Sequence, residues 1–123
     1  MNTLLAIALA GAVGSVLRYV AGRGAQRLLH VGFPVGTLLV NVVGCVVVGA
    51  LARHFLNDET TPVLRAALIV GFCGGFTTFS TFSLETFGLV VAGDWPKAVG
   101  YVLASTALCL GGTAAGYQVV FRR

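Results

Sequence analysis

The sequence predicts an all-α membrane protein with four transmembrane helices, the third of them broken near Gly74-Gly75. Three observations predict it. The 123 residues are 57% hydrophobic and 10% charged, with a mean hydropathy of +0.93, whereas a soluble domain carries roughly a quarter charged residues. The apolar residues gather into four runs with short connections, and a chain of this length has room for about four spans of ~20 residues and little else. One run is both too long and too polar for a plain span. The whole chain, 1–123, is therefore expected to be a single four-span domain.

The first run covers Leu4 to Val20, with Arg18-Tyr19 as an interfacial anchor. Ala8-Leu9-Ala10 offers small residues for signal cleavage, but no lysine or arginine precedes the run, so it is expected to stay as a span. A Gly/Arg-rich connection with Arg23, Gly24 and Arg27 follows. The second run extends from Val35 to Ala52, introduced by Phe33-Pro34. Residues 57–62, Asn-Asp-Glu-Thr-Thr-Pro, form a polar loop. The third run is Leu64 to Val91, and Gly93-Asp94-Trp95-Pro96 makes a turn before the fourth, Ala98 to Phe121. Gly32/Gly36, Gly112/Gly116 and Gly11/Gly14 have the small-residue spacings that let helix backbones approach in lipid.

Four spans place Arg53, Arg65, Arg122 and Arg123 on one side of the membrane and Arg18, Arg23, Arg27 and Lys97 on the other. Four against four gives no orientation by charge. Either position decides the orientation, or the chain inserts both ways and pairs antiparallel with itself. The net charge of +4 flanks apolar spans, which points to lipid headgroups and not to nucleic acid. Cys45, Cys73 and Cys109 sit singly in apolar runs without metal-ligand spacing and are expected to be packing residues. His30 and His54 fall in connections as surface residues.

The chemistry gathers in residues 71–87. As one unbroken helix the third run would be ~42 Å long, well over the ~30 Å hydrocarbon core. Either tilt absorbs part of the excess, or Gly74-Gly75, followed by Thr77 and Thr78, break the helix near mid-membrane and free amides and carbonyls that need an ion, water or a partner. Phe76, Phe79 and Phe82 recur every three residues beside Thr77, Ser80 and Ser83, so aromatic edges and hydroxyls would run in adjacent stripes. Asn41, with Thr37 one turn earlier, places an amide inside the second span. That amide either replaces part of an anion's water shell or bonds between helices. Glu85 is the one acidic residue within a span; it sits near an end, pairs with an arginine or stays protonated. Tyr101 and Ser105 add hydroxyls one turn apart, although Tyr101 also suits an interfacial anchor. No catalytic triad, metal cluster or phosphate loop is present, so a conduit or binding subunit is expected and not an enzyme.

Gly11-Ala-Val-Gly14-Ser-Val-Leu-Arg18-Tyr19, the segment Gly36 to Gly44 and the segment Gly74-Gly75-Phe76-Thr77-Thr78-Phe79-Ser80-Thr81-Phe82-Ser83-Leu84-Glu85 resemble the fluoride channels of the Fluc/CrcB family. The resemblance covers the whole chain in length, span number and motif order. It implies an antiparallel dual-topology homodimer in a bacterial inner membrane, with two pores that export cytoplasmic fluoride passively. It also implies that Phe79, Phe82 and Asn41 are pore residues, with Thr37, Ser80, Thr81 and Glu85 as a polar track beside them. Tyr101 and Ser105 match the fourth-span hydroxyls, and Arg18 the vestibule arginine. Gly74 and Thr77 match residues whose main-chain carbonyls, from both subunits, hold a structural Na⁺. Cys109 departs from the pattern, standing where a serine is usual. The alternatives are a small proton-coupled multidrug-type exporter, which needs a carboxylate that the first span lacks, and a non-transporting assembly subunit.

Overall fold

The computed structural model describes residues 2–56 and 60–121, and these form helices and connections without a strand. Residues Asn57, Asp58 and Glu59 of the predicted polar loop, and Arg122-Arg123, lie outside the described residues. Helix α1 is Thr3–Leu29, α2 Val35–His54, α3 Pro62–Ala66, α4 Gly74–Phe76, α5 Phe79–Val91 and α6 Trp95–Phe121; a π-helical segment, Ala67–Cys73, joins α3 to α4. Four helical stretches are long and apolar enough to cross a membrane: Thr3–Leu29, Val35–His54, Pro62–Val91 and Trp95–Val120. The chain is a multi-pass membrane protein.

The first span corrects the sequence reading. The connection expected around Arg23, Gly24 and Arg27 is helical, and α1 runs nine residues past Val20 to Leu29. Glycine disfavours a helix by only about 1 kcal/mol, and Gly22 serves packing: a Cβ on Gly36 would meet the Gly22 carbonyl oxygen at 2.3 Å. The helix ends where His30 turns left-handed, at φ 47°. Gly32 then lies in the connection with open space around it, so the expected Gly32/Gly36 face does not exist; Gly36 packs on Gly22 and Gln26 of α1.

Helix starts follow local capping chemistry. Asn2 accepts from the Leu4 amide at 3.1 Å, and Thr61, before Pro62, accepts from Leu64 at 3.4 Å. Asp94 accepts from the Lys97 amide at 3.3 Å and pairs with its ammonium at 2.7 Å, which holds the Asp94 carboxyl below its ordinary value. Trp95 and Pro96, expected in the turn, form the first turn of α6, while Gly93 takes the turn itself at φ 78°. At the far end of α2, Arg65 donates to the Phe55 carbonyl at 2.8 Å and lies over its ring.

Two glycine seams hold the spans together. Gly11 and Gly14 of α1 face the π-segment and α4: a Cβ on Gly14 would sit 2.3 Å from the Phe72 carbonyl oxygen, and one on Gly75 2.5 Å from that of Gly11. Gly49, Gly112 and Gly116 close α2 on α6; a Cβ on Gly116 would meet the Val46 carbonyl oxygen at 2.0 Å. These contacts are backbone against backbone, as lipid-embedded packing requires. Helix α5 is held loosely by comparison, and Phe79, Leu84, Phe87 and Val91 are exposed.

Candidate functional site

The site is built around a two-residue interruption of the third span. Helix α4 stops at Phe76; Thr77 (φ −90°, ψ 160°) and Thr78 (φ −151°, ψ 114°) are extended, and α5 restarts at Phe79. Gly74 and Gly75 themselves are helical, so the non-helical residues lie three positions beyond the glycines. A continuous helix would send the Thr78 N–H to the Gly74 carbonyl. Here it donates to Asn41 Oδ1 at 2.7 Å, and Asn41 Nδ2 donates back to the Thr78 carbonyl at 3.0 Å. Because an N–H needs an acceptor, this pairing fixes which way the Asn41 amide points. The Gly75 carbonyl, which would have bonded Phe79, accepts from Arg18 Nε at 3.0 Å and Ser15 Oγ at 3.5 Å. Thr78 caps α5 by accepting from the Thr81 amide at 3.2 Å and donates to Thr81 Oγ1 at 3.0 Å. Side chains of α1 and α2 thus satisfy the Gly75 carbonyl and both backbone groups of Thr78.

Arg18 is consequently no interfacial anchor. It points inward to α4, while its neighbour Tyr19 stays exposed beneath Arg23. The phenylalanine and hydroxyl stripes are also cut at Thr77–Thr78, because two extended residues destroy the helical phase. Phe76 stacks on Phe72 with centroids 5.9 Å apart, and Thr77 Oγ1 turns back to the Cys73 carbonyl at 2.9 Å. Phe79 and Phe82 remain together, 5.4 Å apart.

Two cavities flank the Asn41–Thr78 clamp, and Thr78 lines both. One, of about 250 Å³, is lined by Arg18, Arg23, Gln26, Thr37, Thr81 and Glu85 among others. The other, of about 510 Å³, is lined by Asn41, Gly74, Thr77, Phe79, Phe82, Ser105 and all three cysteines, with apolar neighbours. Ser80, expected in the polar track, is exposed, with its hydroxyl 3.2 Å from that of Thr78.

A polar strut connects the two sides. Glu85 accepts from Thr37 Oγ1 at 2.8 Å and from the Tyr101 hydroxyl at 2.7 Å, so two hydroxyls hold its carboxylate where an arginine was one expected partner. Tyr101 is fully buried, which excludes the interfacial-anchor reading. Its ring packs on Phe82 at 5.1 Å and edge-on to Phe33 at 5.4 Å. Aromatic contacts therefore run from Phe33 through Tyr101 and Phe82 to Phe79. Ser105, one turn along α6, is 7% exposed, and its Oγ has no hydrogen-bond partner.

Ser15 and Gln26 were not singled out in the sequence, and Thr78 was expected only as part of the break and not as a cap or clamp. Gln26 Oε1 accepts from the Gly36 amide at 3.1 Å, and its Nε2 donates to Val31 and Phe33 carbonyls, both at 3.1 Å, so one side chain ties the first connection to the start of α2. The Thr78 cap had a local signal, a threonine three residues before Thr81 at the head of an apolar stretch. Gln26 had none.

The chemistry of the larger cavity is lopsided. Asn41 has two amide hydrogens, of which Thr78 takes one. The Ser105 hydroxyl is unbonded, and phenylalanine edges are weakly electropositive. Spare donors on Asn41 and Ser105 thus stand on a largely apolar wall beside ring edges, a combination that can serve a small anion.

Comparison with known proteins agrees. A family model described as "CrcB-like protein, Camphor Resistance (CrcB)" matches residues 5–117. A protein of Nitrobacter hamburgensis named fluoride-specific ion channel FluC 1 is 46% identical over 118 residues, covering 95% of this chain and 94% of the relative. The fluoride-specific ion channel FluC of Geobacter sulfurreducens is 50% identical over 117 residues, covering 94% of each. That of Rhizobium etli is 45% identical over 121 residues, covering 98% and 97%. These relatives carry the names of ion channels, a transport class and not an enzymatic one. With the family model matched along nearly its whole length, the four-span chain belongs to the CrcB family.

Proposed function

We propose that the protein is a fluoride-selective channel that lets F⁻ leave the cytoplasm passively, down its electrochemical gradient. The observation that carries this reading is the larger cavity, where the spare Asn41 amide hydrogen and the unpartnered Ser105 hydroxyl meet the Phe79 and Phe82 rings. Donors without a protein acceptor beside electropositive ring edges suit an anion, and the names of the relatives point to fluoride. Fluoride enters acidified cells as neutral HF, ionises in the more alkaline cytoplasm and is trapped. An inside-negative membrane then favours its exit by about 2.3 kcal/mol per 100 mV. Few donors and narrow ring edges favour the smallest halide over chloride.

The vestibule side gives the anion an approach. Arg18 and Arg23 line the smaller cavity with Thr37, Thr81 and Glu85, and Glu85 is held there by Thr37 and Tyr101. Tyr101→Phe removes one of the two donors while keeping the ring contacts. Leaving a buried acceptor without its donor costs about 1–3 kcal/mol, so fluoride efflux is expected to fall about tenfold at unchanged fluoride-over-chloride preference.

The functional unit in this reading is an antiparallel dual-topology homodimer with two pores, in the bacterial inner membrane. Gly74, Phe79, Ser80 and Ser83 are exposed on a single chain, polar and aromatic groups that a second copy would cover. Gly74 and Thr77 carbonyls from both copies would hold a structural Na⁺, a hard cation that takes oxygen ligands. The donor set fits: the Thr78 amide that would have bonded the Gly74 carbonyl goes to Asn41.

Purified protein in liposomes tests the reading. Wild type is expected to release fluoride rapidly and chloride negligibly. Phe82→Ile and Phe79→Ile, which replace ring edges by aliphatic groups, are expected to lower fluoride efflux about fivefold, since loss of each aromatic contact removes about 1 kcal/mol. Comparable chloride and fluoride efflux would defeat the selectivity claim, and undiminished flux in both variants would defeat the assignment of the rings.

A further inference from the structure

The larger cavity contains a chemical group that anion conduction leaves unused. Cys45 on α2 and Cys109 on α6 both line it, both are free and both are half-buried. The two helices are in intimate contact there: a Cβ on Gly112, one turn beyond Cys109, would lie 3.7 Å from Cys45 Cβ. Cys73, in the π-segment, is buried at 4% exposure. Among the described residues no three His, Cys, Asp or Glu side chains converge on a metal position, so an ion needing three or four protein ligands is not served.

We propose that Cys45 and Cys109 form a two-coordinate site for a soft, thiophilic divalent cation of the mercuric type, and that its occupation closes the anion path. Soft cations select thiolates. On binding, two S–H bonds break, two S–Hg bonds form and two protons leave to water, with no change of oxidation state. Two thiolates cancel the charge of the ion, so the bridged product is neutral, which an apolar cavity inside a membrane tolerates far better than a charged one. Ser105 stands one turn before Cys109 and Phe82 lines the same cavity, so the bridged ion would occupy the place where the donors meet. The site follows from the placement of both cysteines on one cavity wall between closely packed helices; only the closure rests on the fluoride-conduction reading.

HgCl₂ titrated into the purified full-length protein in detergent tests it, following the thiolate-to-mercury ultraviolet absorption and counting reactive thiols before and after. In wild type the first equivalent is expected to consume two thiols. Cys45→Ala and Cys109→Ala are each expected to lose this two-thiol step, and Cys73→Ala to keep it. In liposomes, one equivalent of Hg²⁺ on both sides is expected to reduce wild-type fluoride efflux by at least about tenfold, as obstruction of a single narrow path does, with recovery in dithiothreitol. Cys45→Ala and Cys109→Ala should retain most of their own untreated flux. A two-thiol step that persists in either variant overturns the site. Intact binding with unchanged flux overturns the closure. Absence of fluoride flux in untreated wild type would instead refute the channel reading, and the titration would still decide the thiol pair.

Discussion

Asn41→Ala is expected to reduce fluoride efflux roughly a hundredfold, a loss of about 3 kcal/mol in the population of conducting channels. The reason is the Thr78 peptide and not only the anion. Asn41 receives the Thr78 N–H at 2.7 Å and donates to its carbonyl at 3.0 Å, so truncation orphans both groups inside a membrane span. Each orphaned buried group costs about 1–3 kcal/mol. The nearest remedy is to return the Thr78 amide to the Gly74 carbonyl, continuing α4 toward α5 and removing the two-residue interruption that sets Phe79 and Phe82 in place. Asn41→Asp separates the structural role from size. It keeps an acceptor for the Thr78 amide but turns a second oxygen toward the Thr78 carbonyl and adds negative charge on the anion's path. Its flux should be as low as that of Asn41→Ala, while Asn41→Gln, which retains the donor and acceptor on a longer stem, should recover part of it. Wild-type efflux from Asn41→Ala channels that elute normally from a sizing column would refute both roles.

How much of this was legible in sequence depends on the range of the force involved. The four spans follow from hydropathy, a local property, and their ends from capping residues such as Thr61 and Asp94. The continuation of α1 through Gly22 and Gly24 was hidden because glycine has the same letter in a loop and in a tight helix crossing; Gly36, fourteen residues on, decides between them. The same ambiguity spread the expected break over Gly74-Gly75 and the threonines that follow, whereas only Thr77 and Thr78 are extended. Their conformation is enforced from Asn41, thirty-seven residues away, and Gly75 is held by Arg18, fifty-seven away. Tyr101 was ambiguous for a different reason. An amphipathic ring suits an interface or a buried hydrogen bond equally, and Glu85 supplies the acceptor that makes it buried.

Adjacent glycines make the second large expectation. Gly75→Ala should prevent accumulation of folded protein, and Gly74→Ala should not. A Cβ on Gly75 would stand 2.5 Å from the Gly11 carbonyl oxygen and 3.1 Å from Gly11 Cα, atoms of a backbone that cannot rotate aside. Overpacking of a tight core costs typically 1–3 kcal/mol, and here the strain would also pull the Gly75 carbonyl away from Arg18 Nε. Gly74 is different: it is exposed, and the nearest atom to its Cβ would be the Ile69 carbonyl oxygen at 4.0 Å. Nothing within one chain requires glycine there. If a second copy packs across the interruption and shares a cation through the Gly74 and Thr77 carbonyls, the added methyl group falls in that interface. Gly74→Ala should then yield helical protein that runs as a monomer by light scattering in detergent and conducts no fluoride, with Gly111→Ala, where a Cβ meets nothing within 4 Å, as the neutral control. A dimeric, fully conducting Gly74→Ala protein would remove Gly74 from the interface and leave the single-chain cavities to explain conduction alone.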